Sequence, residues 1–315
     1  MPDNAVNALG PVHAPSPFVL AEEAAYRRWR DRKLAQYARV ANDLVVEVGD
    51  PAQLSDVELE ALIERCRAAN SVIYAAGPER IEKADAAAMA RQLGLVHLDG
   101  NLCADEDRIT SLRVMPGGTR HEGYIPYTDR PLNWHTDGYY NHPRERLRAM
   151  LLHCATPAAE GGESALLDHE IAYILLREEN PELVDALMAP DAMAIPANVE
   201  NGVEVRPRRV GAVFLVEPQS GNLYMRYTAR KRHVEWKADA ATRAAVAALE
   251  RILSGESEFI VRHRLEPGQG IISNNALHNR AGFRDDPAGG LSRLIYRGRY
   301  YDRVRGTDYN RTWQE

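Results

Sequence analysis

From about Ile109 onward the chain breaks into short apolar or alternating runs, and this texture limits the fold more than any other feature. The runs are ITSLRVM, RLRAMLLHCA, SALLD, DAMAIPANV, VEVRP, AVFLVEP, NLYMRY, EFIVRHRL, QGIISNN and SRLIYRGRYY. Turn-forming clusters separate them, among them Pro116-Gly117-Gly118, Gly161-Gly162, Gln219-Ser220-Gly221-Asn222, Pro267-Gly268-Gln269-Gly270 and Pro287-Ala288-Gly289-Gly290. Many short strands punctuated by turns predict a barrel or sandwich. Two helical inserts interrupt the strands, at about 169–188 and 238–254, the second ending at Gly255.

Upstream the texture is helical. Residues 21–40 are rich in helix formers, and 44–48 reads as a strand. Ser55 and Glu58 form a capping box that opens a helix running to about Asn70. Ser71–Ala76 is a short strand, and 81–93 a helix with Gly94 placed to cap it. Residues 1–20 read as a loose arm. The remainder reads as one mainly β domain with helical additions, 21–315, with a helical lead-in over 21–108 and a β core over 109–302.

Composition excludes several classes. The formal charge is −6, with Lys and Arg scattered, which argues against a nucleic-acid or polybasic membrane surface but not against a local basic pocket. Cys66, Cys103 and Cys154 form no CxxC pair, so neither a disulfide framework nor a zinc ribbon is expected, and a reducing compartment fits better. No secretory leader is seen, and no apolar run approaches the ~20 residues that span a bilayer. The expectation is a cytoplasmic protein with a small-molecule substrate. No Gly-rich segment follows the strand–GxGxxG–helix order of a nucleotide site.

The sharpest local signal is Asn133-Trp134-His135-Thr136-Asp137-Gly138. On a strand, positions i and i+2 share a face, so His135 and Asp137 could meet one metal from adjacent pleats, while Trp134 points the other way and packs. An HxD pair alone also suits a surface His beside a turn Asp. His278 adds weight, because it follows the apolar run Gly270-Ile271-Ile272 and barrel closure can carry it beside the first strand. Two His and one carboxylate with open positions suit non-haem iron(II). Arg293 and Arg297, four apart, share a strand face and could bind a carboxylate bidentately; a solvated basic edge is the alternative, and Arg299 and Arg303 are read that way.

In this order the pieces resemble the TauD/TfdA-type iron(II)- and 2-oxoglutarate-dependent dioxygenases. The likeness covers roughly Ile109 to Asp302 and, more weakly, the lead-in from about Glu47. Its carriers are Gly123 to Thr128 before the HxD, Cys154-Ala155-Thr156-Pro157 followed by Gly161-Gly162-Glu163-Ser164, and the block from Asn275 to Arg297. The resemblance implies a double-stranded β-helix (jelly roll), with His135, Asp137 and His278 as Fe(2+) ligands. It assigns Arg293 to the distal carboxylate of 2-oxoglutarate and sets Arg297 near the C1 carboxylate or an anionic substrate end. Ser164 stands where many members carry a Thr that anchors 2-oxoglutarate. Asn274-Asn275 replaces the family's frequent Asp-Asn, a departure expected to alter hydrogen bonds around the ligands rather than ligation itself.

The implied reaction consumes 2-oxoglutarate and O2, releases succinate and CO2, and usually hydroxylates a C–H bond. Retained Asp137 favours oxygenation over halogenation; desaturation, ring formation and C–S or C–N cleavage stay open. Tyr139, Tyr140, Asn141, Arg226 and Arg230 are candidate contacts to a small anionic or zwitterionic substrate, with His121 and His142 flanking the pocket. Packing on the barrel rim is the other reading of the tyrosines, and a charged strand that of the arginines. The remaining histidines are expected to be structural. Relatives are often dimers or tetramers, so a homo-oligomer is compatible. Two rivals stand beside this reading: a jelly roll that binds metal or ligand without turnover, and a zinc hydrolase on a cupin-like barrel.

Overall fold

The alternating runs resolve into two sheets whose inner faces meet over a shared apolar core. The computed structural model describes residues 16–100, 105–115, 124–200 and 202–309. Ten strands frame the site: β1 (Val45–Glu47), β2 (Ser71–Ala75), β3 (Thr110–Leu112), β4 (Leu132–His135), β5 (Ala149–Thr156), β6 (Ser164–Leu167), β7 (Val261–His263), β8 (Gln269–Ser273), β9 (Leu277–Arg280) and β10 (Leu294–Tyr300). The larger sheet runs β1-β2-β8-β5-β10-β3 and the smaller β7-β6-β9-β4. Only the β1–β2 pairing is parallel within these two sheets.

Side-chain alternation sorts the layers. From the larger sheet, Val72, Leu151 and Ile272 point outward under α2 (Asp56–Ala69) and α3 (Lys83–Gln92), meeting Leu62, Cys66, Met89 and Leu93. Their neighbours Ile73, Met150, Ile271 and Ile295 point inward and pack with Leu166 of β6. The outer face of the smaller sheet, through Ala165, Leu167 and Leu277, is covered by α4 (His169–Glu179), α5 (Pro181–Met188) and α6 (Ala240–Ser254), with α1 (Glu23–Val40) beside them. A two-period alternation therefore produces a helix–sheet–sheet–helix stack.

Local signals hold at the helix ends. The Ser55–Glu58 capping box is formed, and Gly94, at φ +80°, takes the left-handed position after α3, so that Leu95 N–H reaches Ala90 O and Gly94 N–H reaches Arg91 O. Three expectations need correction. The 169–188 insert is two helices, because Pro181 has no N–H to continue the first and Asn180 caps the second by accepting from Glu182 N–H at 2.9 Å. The arm expected over 1–20 is docked in its described part: Phe18 is buried, edge-on to Trp29 and Tyr173 at 4.9 and 5.5 Å, and Arg177 donates to Pro17 O and Leu20 O. Residues 1–15 lie outside the described residues. Arg299 is not solvated, because β10 is flanked by β5 and β3 and its side chain is buried against Asp99 and Tyr140; Arg303, beyond the strand, is half-buried and bonds Thr307 and Asn70. No helix among the described residues is long and apolar enough to cross a membrane.

Candidate active site

His135 ends β4, and the antiparallel pairing of β9 with β4 sets His278 directly opposite it. The two rings stand 4.2 Å apart, centroid to centroid. Asp137 does not share their strand. The ladder ends at His135, whose successor Thr136 donates its N–H to Tyr227 O, and the chain turns at Gly138. Gly138 has φ +68°, and a Cβ there would sit 2.8 Å from Leu147, so this turn requires glycine. It carries the Asp137 carboxylate to 3.8 Å from His135 Nε2. One donor atom from each of His135, Asp137 and His278 lies within 4.8 Å of the others, the only such metal-competent group among the described residues.

The donors are prepared for a cation. His135 Nδ1 lies 2.9 Å from Asn133 O and His278 Nδ1 lies 3.0 Å from Ala276 O. A carbonyl oxygen can only accept, so each Nδ1 carries the proton and each Nε2 keeps a free lone pair. Burial, reinforced by the neighbouring His278, pushes His135 down to about 3, and burial likewise lowers His278. For Asp137, burial alone would raise the pKa. Arg297 and Arg299 outweigh it and hold the carboxyl well below the usual range. Asp137 Oδ2 is buried with no hydrogen-bond partner among the described residues. Two neutral nitrogens, one carboxylate and an uncommitted buried oxygen match the two-His, one-carboxylate donor set of a non-haem iron(II) centre.

Asn275 fixes the ligand turn. Its Oδ1 accepts from Asp137 N–H at 2.7 Å, while its Nδ2 donates to Asp137 O and Leu147 O. It adopts φ +53°, which asparagine tolerates better than most residues. Asn274 bonds Asn70, Thr307 and Val304 N–H instead. The departure from Asp-Asn thus falls on Asn274, whose bonds go to Asn70, Thr307 and Val304 rather than to the Asp137 turn, and the expected change in hydrogen bonds around His135, Asp137 and His278 is not seen there.

Between the sheets lies a pocket that opens to solvent, lined by His135, His278, Ser164, Arg280, Arg293 and Arg297 among apolar walls such as Leu112, Met150, Leu166 and Ile271. Arg293 is 7% exposed, and its Nη1 is buried without a partner among the described residues. Burial, then the nearby Arg280, pushes it down to about 9. An unpaired cation this deep costs several kcal/mol, and an anion in the pocket would relieve that cost. Arg297 also has an unpartnered buried Nε, and its Nη1 lies 3.8 Å from Asp137. Arg280, which sequence reasoning missed, donates to Thr128 O and Arg130 O and flanks the Phe283 ring opposite Arg293; no local motif marks it.

The expected substrate contacts divide. Arg226 is committed to three carbonyls, Tyr139 O, Met193 O and Arg209 O, so it braces the rim rather than facing a ligand. Asn141 donates to Glu145 O and holds the turn. Tyr139 is buried in the core, with its hydroxyl against Thr228 and Arg230; Tyr140 is half-buried and accepts from Arg299. His142 caps a short 3₁₀ turn. His97, His153, His169 and His263 have structural partners in Asp302, Tyr74, Leu223 O and Gln269. His13, His121 and Cys103 lie outside the described residues.

Comparison with known proteins follows the same lines. The family model described as "Taurine catabolism dioxygenase TauD, TfdA family" matches residues 30–298. A uridine-5′-phosphate dioxygenase of Streptomyces sp is 29% identical over 188 residues, 58% of this chain and 66% of that protein. Another of the same description, from Amycolatopsis sp, is 28% identical over 53% of this chain and 60% of its own length. The match thus spans less than two thirds of either relative. Among solved structures, asparagine oxygenase with Fe(II), 2S,3S-3-hydroxyasparagine and succinate superposes at TM-score 0.54 and 16% identity, covering 84% of this chain and 89% of that one. The non-heme iron oxygenase OrfP with Fe, succinate and (3S)-hydroxy-L-Arg superposes at TM-score 0.55 and 18% identity, covering 96% and 94%. At such identities the likeness establishes the fold, and the family match establishes kinship: the chain belongs to the TauD/TfdA dioxygenase family.

Proposed function

We propose that this protein is an iron(II)- and 2-oxoglutarate-dependent dioxygenase that hydroxylates a C–H bond of a small anionic or zwitterionic molecule, releasing succinate and CO2. One observation carries the reading: His135 and His278, two of the three clustered metal donors, line one inter-sheet pocket together with Arg293, whose buried Nη1 has no partner among the described residues. The two facing antiparallel sheets support a jelly-roll core within a single domain over 21–315.

In this reading His135, Asp137 and His278 hold Fe(II), with tautomers set by Asn133 O and Ala276 O. Arg293 takes the distal carboxylate of 2-oxoglutarate in bidentate geometry, Ser164 offers a hydroxyl, and Arg297 balances charge between Asp137 and the C1 carboxylate. Leu112, Met150, Leu166 and Ile271 exclude water from the co-substrate chain. Bound iron with 2-oxoglutarate and O2 supplies the oxidising chemistry. The protein positions the partners and needs no side chain as general acid or base.

The substrate range spans what the relatives' descriptions name, a nucleoside phosphate in one case and amino acids in another. Desaturation or C–S or C–N cleavage would use the same centre. A non-catalytic metal binder is disfavoured, because it has no use for Arg293 left unpaired in the pocket. The test is a screen of phosphate esters, amino acids, betaines and sulfonates for succinate release. Release that needs iron, 2-oxoglutarate and oxygen together supports the reading. Turnover without oxygen points to a hydrolase and rejects it.

A further inference from the structure

Arg293 and the inter-sheet pocket lie toward the histidines. A second group of cations gathers at Tyr139 and Tyr140, which follow Asp137 in the chain. Arg206 ends a hairpin made by Asn198–Glu200 and Val203–Arg206, and its guanidinium lies 5.8 Å from the Tyr140 ring centroid. Carbonyls of Pro196 and Pro207 orient it, at 2.8 and 3.3 Å, without neutralising it. Arg209, on the adjoining strand Arg209–Gly211, has a buried Nε with no partner among the described residues. Arg230 reaches the Tyr139 hydroxyl, and Arg230, Arg206 and Arg232 all bear on His233. Burial and the proximity of Arg209 lower the pKa of Arg206.

Two carboxylates of neighbouring segments are already occupied. Asp99 pairs with Arg299, and Glu235 pairs with Arg208 at 2.8 Å. Guanidiniums held close together repel one another, and an oxyanion bound between them removes that repulsion. Three of them suit a doubly charged oxyanion better than a singly charged carboxylate or sulfonate.

We propose that Arg206, Arg209 and Arg230 form a clamp for the anionic end of the primary substrate, and that this end is a phosphate monoester. The proposal rests on the dioxygenase reading for its direction: Tyr139 and Tyr140, which the arginines contact, follow Asp137 by two and three residues, so the substrate body would point back toward Asp137.

The test is calorimetric titration of anaerobic protein loaded with Fe(II) and 2-oxoglutarate, so that Arg293 is occupied, using phenyl phosphate, taurine and asparagine as probes. Phenyl phosphate should bind best. Arg206→Gln and Arg230→Gln should each weaken it ~10–100-fold, the scale of one lost charge-assisted contact. Arg206→Lys should recover part of the loss, and Arg208→Gln, whose cation is already paired, should change it less than ~twofold. The visible absorption of the iron–2-oxoglutarate chelate should be the same in all variants. Unchanged phenyl phosphate affinity in Arg206→Gln and Arg230→Gln overturns the clamp, as does tighter binding of asparagine. If the wild-type chelate absorption fails to form, the dioxygenase reading falls instead, and titration of metal-free protein still decides the clamp by the same Arg206→Gln ratio.

Discussion

His135 and His278 stand opposite one another on paired strands, whereas Asp137 sits in a turn held by another residue's side chain. The histidine side is set by sheet register, so its geometry belongs to the whole sandwich. The aspartate side depends on Gly138, Asn275 and the Thr136–Tyr227 contact. The arginines differ likewise. Arg293 lines the pocket with an Nη1 that has no partner among the described residues, while each nitrogen of Arg226, similarly buried, is bonded to a carbonyl. Burial of an arginine therefore does not mark a ligand site; an uncommitted donor does.

The largest effect should come from the register side. His135→Ala or His278→Ala should abolish iron retention, seen as loss of metal stoichiometry, and activity should fall by ~10³-fold or more. Iron retained at full stoichiometry in either variant would break the assignment. Arg293→Ala should keep iron yet raise the KM for 2-oxoglutarate by ~10–100-fold, as expected for a lost bidentate ion pair; equal iron loss would show the arginine to be structural. On the turn side, Asn275→Ala removes three hydrogen bonds and leaves the Asp137 peptide unpaired. Iron affinity should fall ~10-fold, and stability by ~2–4 kcal/mol, in chemical denaturation. An unaltered iron affinity would mean that the turn holds itself.

A separate prediction concerns the pH dependence of the metal-free protein. Burial lowers His153 and His169, as well as His135 and His278. Their folded-state values lie below the ordinary histidine value of 6.5, so the unfolded chain takes up protons first as the medium acidifies. The stability they contribute is complete above about pH 6.5 and is lost as pH falls toward the folded values, by up to ~1.4 kcal/mol per unit for each histidine. Denaturation midpoints at pH 7.5, 6 and 5 should fall in that order; a rising series contradicts the assignment.

The same division governs what could be read beforehand. Strand texture and the capping box are local or periodic signals, and the two-sheet framework they imply is the one observed; His278 could be set beside His135 because it follows an apolar strand. The carriage of Asp137 on a turn was not visible, because HxD fits both a strand and a strand end. Arg299 misled because an arginine-rich strand looks like an edge, and only the neighbouring β3 shows that it is interior. Arg280 and the Arg206 hairpin belong to no motif, since tertiary contacts alone bring them to the site. Phe18 was hidden in a Pro- and Ala-rich stretch whose composition suggested a loose arm.

The most direct test of the account is anaerobic titration of Fe(II) into protein saturated with 2-oxoglutarate, followed by visible absorption. The account predicts a weak charge-transfer band that saturates at one iron per chain, is absent in His278→Ala, and needs more 2-oxoglutarate in Arg293→Ala. Folded wild-type protein that develops no such band, or a band that survives His278→Ala unchanged, would contradict it.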